Sequence, residues 1–205
     1  EFALLMQRET EMQFYVQYSE STLTVDYPME SKRDPIVFCL DCSGSMFSGG
    51  SGSPYVIGAG FCMAMMSILQ KEQRGCALVI FHHDVRDVII LDKESNASIF
   101  NIMMALLNRD SGGTNFNHPY LTSFGIKDRL KWKALSTVFI TDGVGSLSPA
   151  VYAYIKSRRK LEDRLNLVLV NRATTNGFQG LENWKAKLTR ENMQLKLTEL
   201  GNSLL

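Results

Sequence analysis

Two short apolar runs in this chain each end in an aspartate. Ile36-Val37-Phe38-Cys39-Leu40 leads into Asp41, and Ser136 to Thr141 leads into Asp142. Both runs have strand length and are rich in β-branched and aromatic residues, as in strands buried on both faces. Strands of that kind belong to a parallel sheet with helices on both sides. In such sheets, sites lie at the carboxyl ends of strands where the strand order reverses. If the two strands are neighbours there, both carboxylates meet in one crevice.

The rest of the chain fits this plan. Tyr55 to Lys71 reads as a helix, apolar nearly all round and so buried on more than one side. Cys76 to Phe81 is a second buried strand, and His82-His83-Asp84 connects it tightly to a hairpin partner, Val85 to Leu91. Ser98 to Leu107 carries Ile99, Ile102, Met103, Leu106 and Leu107 at helical spacing. A further helix is expected from Pro119 to about Leu130, another from Pro149 to Leu161, and an apolar strand over Leu165 to Val170. From Thr174 on, the chain is polar and mostly helix-forming, with no clear final strand. The expected fold is α/β: a mostly parallel sheet with one short antiparallel edge strand and helices on both faces.

The first aspartate opens an oxygen-rich stretch. In Asp41-Cys42-Ser43-Gly44-Ser45, a carboxylate and two hydroxyls stand at alternate positions, and Gly44 allows a sharp turn. Hard cations favour such oxygen sets. Taken alone, Asp41 and Ser43 could simply cap a helix. Ser111-Gly112-Gly113-Thr114-Asn115 is a Gly-rich turn that can bring a third hydroxyl to the same crevice.

Net charge over the 205 residues is +1, so no global field points to nucleic acid. The basic run Lys156, Arg158, Arg159, Lys160 precedes Glu162 and Asp163 and reads as a solvated helix face. Cys39, Cys62 and Cys76 lie in apolar segments and read as core residues. Cys39 and Cys42 are two residues apart, but the interval crosses a strand end and has no matching second pair, which argues against zinc. Unpaired thiols favour a reducing, cytoplasmic compartment. No stretch has the apolar length of a membrane span, and no secretory signal is visible. The chain begins at Glu1 and is expected to be a piece of a longer protein.

Asp41-x-Ser43-x-Ser45, Thr114 after Gly-Gly, and Asp142 in Thr-Asp-Gly together resemble the metal-ion-dependent adhesion site of a von Willebrand factor A (vWA) domain. The resemblance covers roughly residues 34 to 171. It leaves an N-terminal helix–strand extension and linker over 1–33 and a polar, mostly helical segment over 172–205. Ala3-Leu4-Leu5, Phe14-Tyr15 and Tyr18-Ser19-Glu20, before a short strand and a charged linker, resemble the bacterial ViaA and CoxE-like proteins. Proteins of that kind are linked to MoxR-type AAA+ ATPases.

The resemblance implies a Rossmann-like vWA fold that holds Mg²⁺, or Mn²⁺ or Ca²⁺. Ser43 and Ser45 would ligate through their hydroxyls, and Thr114 directly or through water. Asp41 and Asp142 would balance charge and hold waters. Mg²⁺ keeps exchangeable positions, and a Glu or Asp of a protein partner can fill one. The expected role is an adaptor for a MoxR-type ATPase, not an enzyme. The alternatives are a stand-alone assembly or adhesion module and a metal-dependent hydrolase.

Other residues carry blander readings. Cys42 lacks a nearby base and reads as filler. His82 and His83 read as a hairpin connection. His118 follows the Thr114 loop and reads as a residue supporting the site's ligands, one facing a partner, or a surface helix start. A Ser45–His118–Asp142 hydrolase fits no nucleophile elbow. Met63, Met65 and Met66 read as core packing.

Overall fold

A computed structural model describes residues 34–91, 99–108, 110–158, 163–171, 178 and 180–203. The helix–strand extension expected over 1–33 lies outside the described residues. The strands are β1 (Ile36–Asp41), β2 (Cys76–Phe81), β3 (Val85–Leu91), β4 (Ser136–Thr141), β5 (Arg164–Val170) and β6 (Trp184–Leu188). The helices are α1 (Pro54–Lys71), α2 (Ile99–Leu107), α3 (Asn117–Arg129), α4 (Pro149–Arg158) and α5 (Met193–Ser203). The six strands form one sheet in the order β3-β2-β1-β4-β5-β6. Only the β2–β3 pair is antiparallel. This is the mostly parallel α/β sheet with an antiparallel edge strand that the sequence implies.

Alternation along the strands divides the core into two layers. Ile36, Phe38 and Leu40 of β1 lie with Leu78, Ile80, Val138 and Ile140 in the layer that includes residues of α1, α2 and α5. Val37 and Cys39 lie with Val79, Phe81 and Phe139 in the layer that includes residues of α3 and α4. α1 begins at a Ser53 cap that accepts from the Val56 N–H, with Pro54 in its first turn. Its Gly58 faces the sheet closely: a Cβ there would lie 2.8 Å from Ile140 Cγ2 and 3.1 Å from Leu40 Cδ1. Met63, Met65 and Met66 are buried, as expected of core residues. The four cysteines are buried free thiols.

Two expectations are corrected. The polar stretch in which no final strand is clear from the sequence supplies β6, which pairs with β5 in parallel. Its sequence, Trp-Lys-Ala-Lys-Leu, reads as polar and helix-forming because it is an edge strand: Ala186 and Leu188 are buried while Lys185 and Lys187 are exposed. The basic run at the end of α4 is only partly a solvated face. Lys156 is exposed, but Arg158 stacks over the Phe124 ring at 4.8 Å and bonds Asp163. No described helix is long and apolar enough to cross a membrane.

Candidate functional site

The site begins with register. Leu40 of β1 is level with Ile140 of β4, so Asp41 and Thr141 follow on neighbouring strands. Alternation turns both toward the same face. The Thr141 hydroxyl donates to Asp41 Oδ2 at 2.6 Å, and Asp41 Oδ1 accepts the Ser43 N–H at 2.8 Å. Thr141 Oγ1 also accepts the Gly143 N–H at 3.0 Å. Asp41, Ser43, Thr141 and Asp142 are all buried.

The loop after β1 turns at once into a short 3₁₀ segment, Gly44–Phe47, whose Met46 is buried as an anchor. The turn brings Ser43 Oγ within 3.3 Å of Ser45 Oγ, with Ser45 exposed at the mouth. The Gly-rich loop lies beside it, and Gly44 N–H donates to the Gly112 carbonyl at 3.1 Å. This second loop starts from a fixed point. Arg86 donates to the Ala105 and Asn108 carbonyls, and the Tyr55 hydroxyl donates to the Leu106 carbonyl at 2.9 Å, so the end of α2 is capped. Farther on, Asn115 N–H donates to the His82 carbonyl at 2.9 Å. Asn117, at the start of α3, accepts the Ser148 N–H at 2.8 Å.

The third loop follows β4. Asp142 Oδ1 accepts the Val144 N–H at 3.2 Å. Gly145 leaves room for its neighbours: a Cβ there would lie 2.6 Å from Phe116 Cε2 and 2.9 Å from the Thr114 methyl. The three loops therefore adjoin in pairs, through Gly44–Gly112, Thr114–Gly145 and Asp41–Thr141. Of the five residues named from the sequence, Asp41 ends β1, and Ser43, Ser45, Thr114 and Asp142 stand on these loops.

The site holds two buried carboxylates, and among the described ion pairs none engages either one. Burial pushes the Asp41 carboxyl up to about 6, against its hydrogen bonds from Thr141 and Ser43, and the Asp142 charge adds to the rise. The donors are carboxylate and hydroxyl oxygens, which suit a hard divalent cation such as Mg²⁺. No group of three or more His, Cys, Asp or Glu side chains able to hold a metal occurs among the described residues. An ion here would therefore have to draw on hydroxyl oxygens as well as the two carboxylates; Ser43 and Ser45 bring theirs within 3.3 Å of each other, and Thr114 stands beside Gly145.

The remaining candidates have other roles, although Cys42 stands between Asp41 and Ser43 and the His82 and His83 rings pack against Gly112. His118 Nδ1 bonds Asp84 Oδ1 at 2.9 Å on the surface, so it is not engaged as the middle member of a Ser45–His118–Asp142 relay. His82 and His83 stack at 4.3 Å in the β2–β3 connection, as a hairpin reading expects. Cys42 is fully buried, and burial pushes its thiol up to about 12, which keeps it protonated and unreactive. Sequence reasoning passed over Thr141, Asn117 and Gly145. A hydroxyl at the end of an apolar strand was a visible signal for Thr141, but its partner depends on strand register.

No family model matches the chain. The regulatory protein ViaA of Edwardsiella ictaluri is 22% identical over 168 residues, covering 73% of this chain and 33% of that protein. An uncharacterized protein of Methanocaldococcus jannaschii is 26% identical over 148 residues, covering 70% and 31%. The chain thus spans about a third of the length of the curated relatives it matches. Among solved structures, the PilB minor pilin from Streptococcus sanguinis superposes with a TM-score of 0.61 at 15% identity, over 87% of this chain and 63% of that one. The conserved hypothetical protein BatB from Bacteroides thetaiotaomicron superposes with a TM-score of 0.57 at 14% identity, over 82% and 98%. These likenesses support a vWA-like fold.

Proposed function

We propose that this chain is a protein-interaction module that binds an acidic side chain of its partner through a divalent ion, Mg²⁺ or in its place Mn²⁺ or Ca²⁺. One observation carries the reading. Two buried carboxylates, unpaired by any described cation, stand on loops that also bring hydroxyls together. Burying charge in this way is costly unless a counter-charge arrives.

Ser43, Ser45 and Thr114 would hold the ion through their hydroxyls, while Asp41 and Asp142 balance its charge. When bound, the ion supplies positive charge and an exchangeable coordination position for a Glu or Asp of the partner. Asp41 is held by Thr141 and by the Ser43 N–H, which suits it to orienting its surroundings. Exposed Ser45 marks the side from which a partner would approach.

The likeness to ViaA supports a regulatory, partner-binding role. We propose as partner a MoxR-type AAA+ ATPase, with this chain as a cytoplasmic adaptor that has no enzymatic step of its own. Asp41→Ala and Thr114→Ala are expected to abolish Mg²⁺-dependent capture of the partner while circular dichroism stays unchanged. Calorimetry with MgCl₂ and MnCl₂ should show binding to the wild type and none to Asp142→Ala. Capture that withstands both EDTA and the two substitutions would overturn the reading. Esterase or phosphodiesterase activity lost in Asp41→Ala would favour a hydrolase instead.

A further inference from the structure

We propose that Thr141, through its hydroxyl, is the positioning residue that joins the β1 and β4 halves of the site and sets its affinity for a divalent ion. The inference rests on the metal-binding reading above. Thr141 is buried, and both functions of its hydroxyl are committed. Its proton goes to Asp41 Oδ2 at 2.6 Å, and its oxygen accepts the Gly143 N–H at 3.0 Å. Because the oxygen already accepts from Gly143, the proton has one direction to point. The result is a directed chain from the Gly143 amide through Thr141 to Asp41.

Each end of this chain sits beside a proposed ligand. Gly143 directly follows Asp142 and adopts a φ of +85°, which favours glycine. The bond that Gly143 N–H donates to Thr141 therefore helps to set the peptide that follows Asp142. At the other end, Asp41 takes the Ser43 N–H on its second oxygen, so the same carboxylate orients Ser43. One hydroxyl thus holds two loops that differ by 100 positions in sequence. The Thr141–Asp41 distance falls in the range of a charge-assisted O–H···O⁻ bond. Removing partners of this kind around a metal site costs roughly 10–100-fold in metal affinity.

Two substitutions separate the hydroxyl from the shape of the side chain. Thr141→Val keeps the volume and loses the hydroxyl. Thr141→Ser keeps the hydroxyl and loses a methyl. Mn²⁺ affinity, read by electron paramagnetic resonance and calorimetry, is expected to fall about 10–100-fold in Thr141→Val and to match wild type in Thr141→Ser. The Gly143 amide resonance should move in Thr141→Val without any metal present. A packing role predicts the opposite order, with Ser damaging and Val tolerated, and would overturn the proposal. If the wild type binds Mn²⁺ and Thr141→Val binds it equally well, the positioning role falls alone. If the wild type binds no divalent ion, the metal reading falls and the positioning role with it. Should Thr141→Val not fold, Thr141→Cys supplies a similar volume with a much weaker donor and carries the same test.

Discussion

At the scale of single residues, buried Asp41 makes the metal-free fold less stable as pH rises. Its carboxyl stands at about 6 in the metal-free fold, against 3.8 for an ordinary aspartate. The folded state therefore holds this proton over a pH range where the unfolded chain has lost it. Stability contributed by Asp41 is intact below about pH 4, falls as pH rises toward 6, and stays low above it. The loss amounts to about 3 kcal/mol at most, taking 1.36 kcal/mol per pH unit between the two values. Asp41→Asn is accordingly expected to stabilise the metal-free protein above pH 6 by up to that amount, and to change little near pH 4. Urea titrations at pH 4 and pH 8 in EDTA check this, and equal effects at both would refute it. Asp41 stands out in the sequence only jointly with Ser43, Ser45, Thr114 and Asp142, while its burial and its bond from Thr141 come from the fold. Thr141 does not stand out, because nothing local says which carboxylate its hydroxyl meets.

Among the elements, those with a simple period were legible and those with a mixed environment were not. α1 is apolar all round because the sheet, α2 and α5 surround it. β6 was missed because a half-exposed edge strand shares its lysines and alanine with helices. The charged end of α4 was misread for a related reason. Asp163 bonds Lys127 of α3 at 2.5 Å and Arg158 of α4 at 3.1 Å, and both Lys127 and Asp163 are buried. A charge pattern along the chain cannot show that its partner lies on another helix. This network fastens α3 and α4 to the start of β5, on the layer that faces Thr141. Removing one partner of a buried pair leaves an uncompensated charge, at a cost of about 3–5 kcal/mol. Asp163→Ala is expected to lose that much stability, and Lys127→Met combined with Asp163→Leu to recover most of it. Chemical denaturation of the three proteins gives the answer.

For the whole molecule, sheet order decides where the site stands. From β1 the chain builds outward through β2 to β3, and from β4 outward through β5 to β6. The reversal falls between β1 and β4, so the loops leaving them part and open a crevice. Alternating strand and helix patterns made this architecture readable. The two-sided growth from the centre follows from three-dimensional pairing that no local pattern encodes. It has a kinetic consequence. The Asp41–Thr141 bond joins positions 100 residues apart, so contacts across the crevice carry a high loop-closure cost and are expected to form late in folding. An ion seated there acts on a structure that the folding transition state has not yet built. At about a hundred times its dissociation constant, Mg²⁺ should add about 2.7 kcal/mol of stability. That gain should appear almost wholly as slower unfolding, by nearly 100-fold, with refolding unchanged. Stopped-flow unfolding with and without EDTA would show it, and faster refolding in Mg²⁺ would contradict it. The ion would then serve as a latch on the finished fold, keeping the sheet's centre closed once the chain has found it.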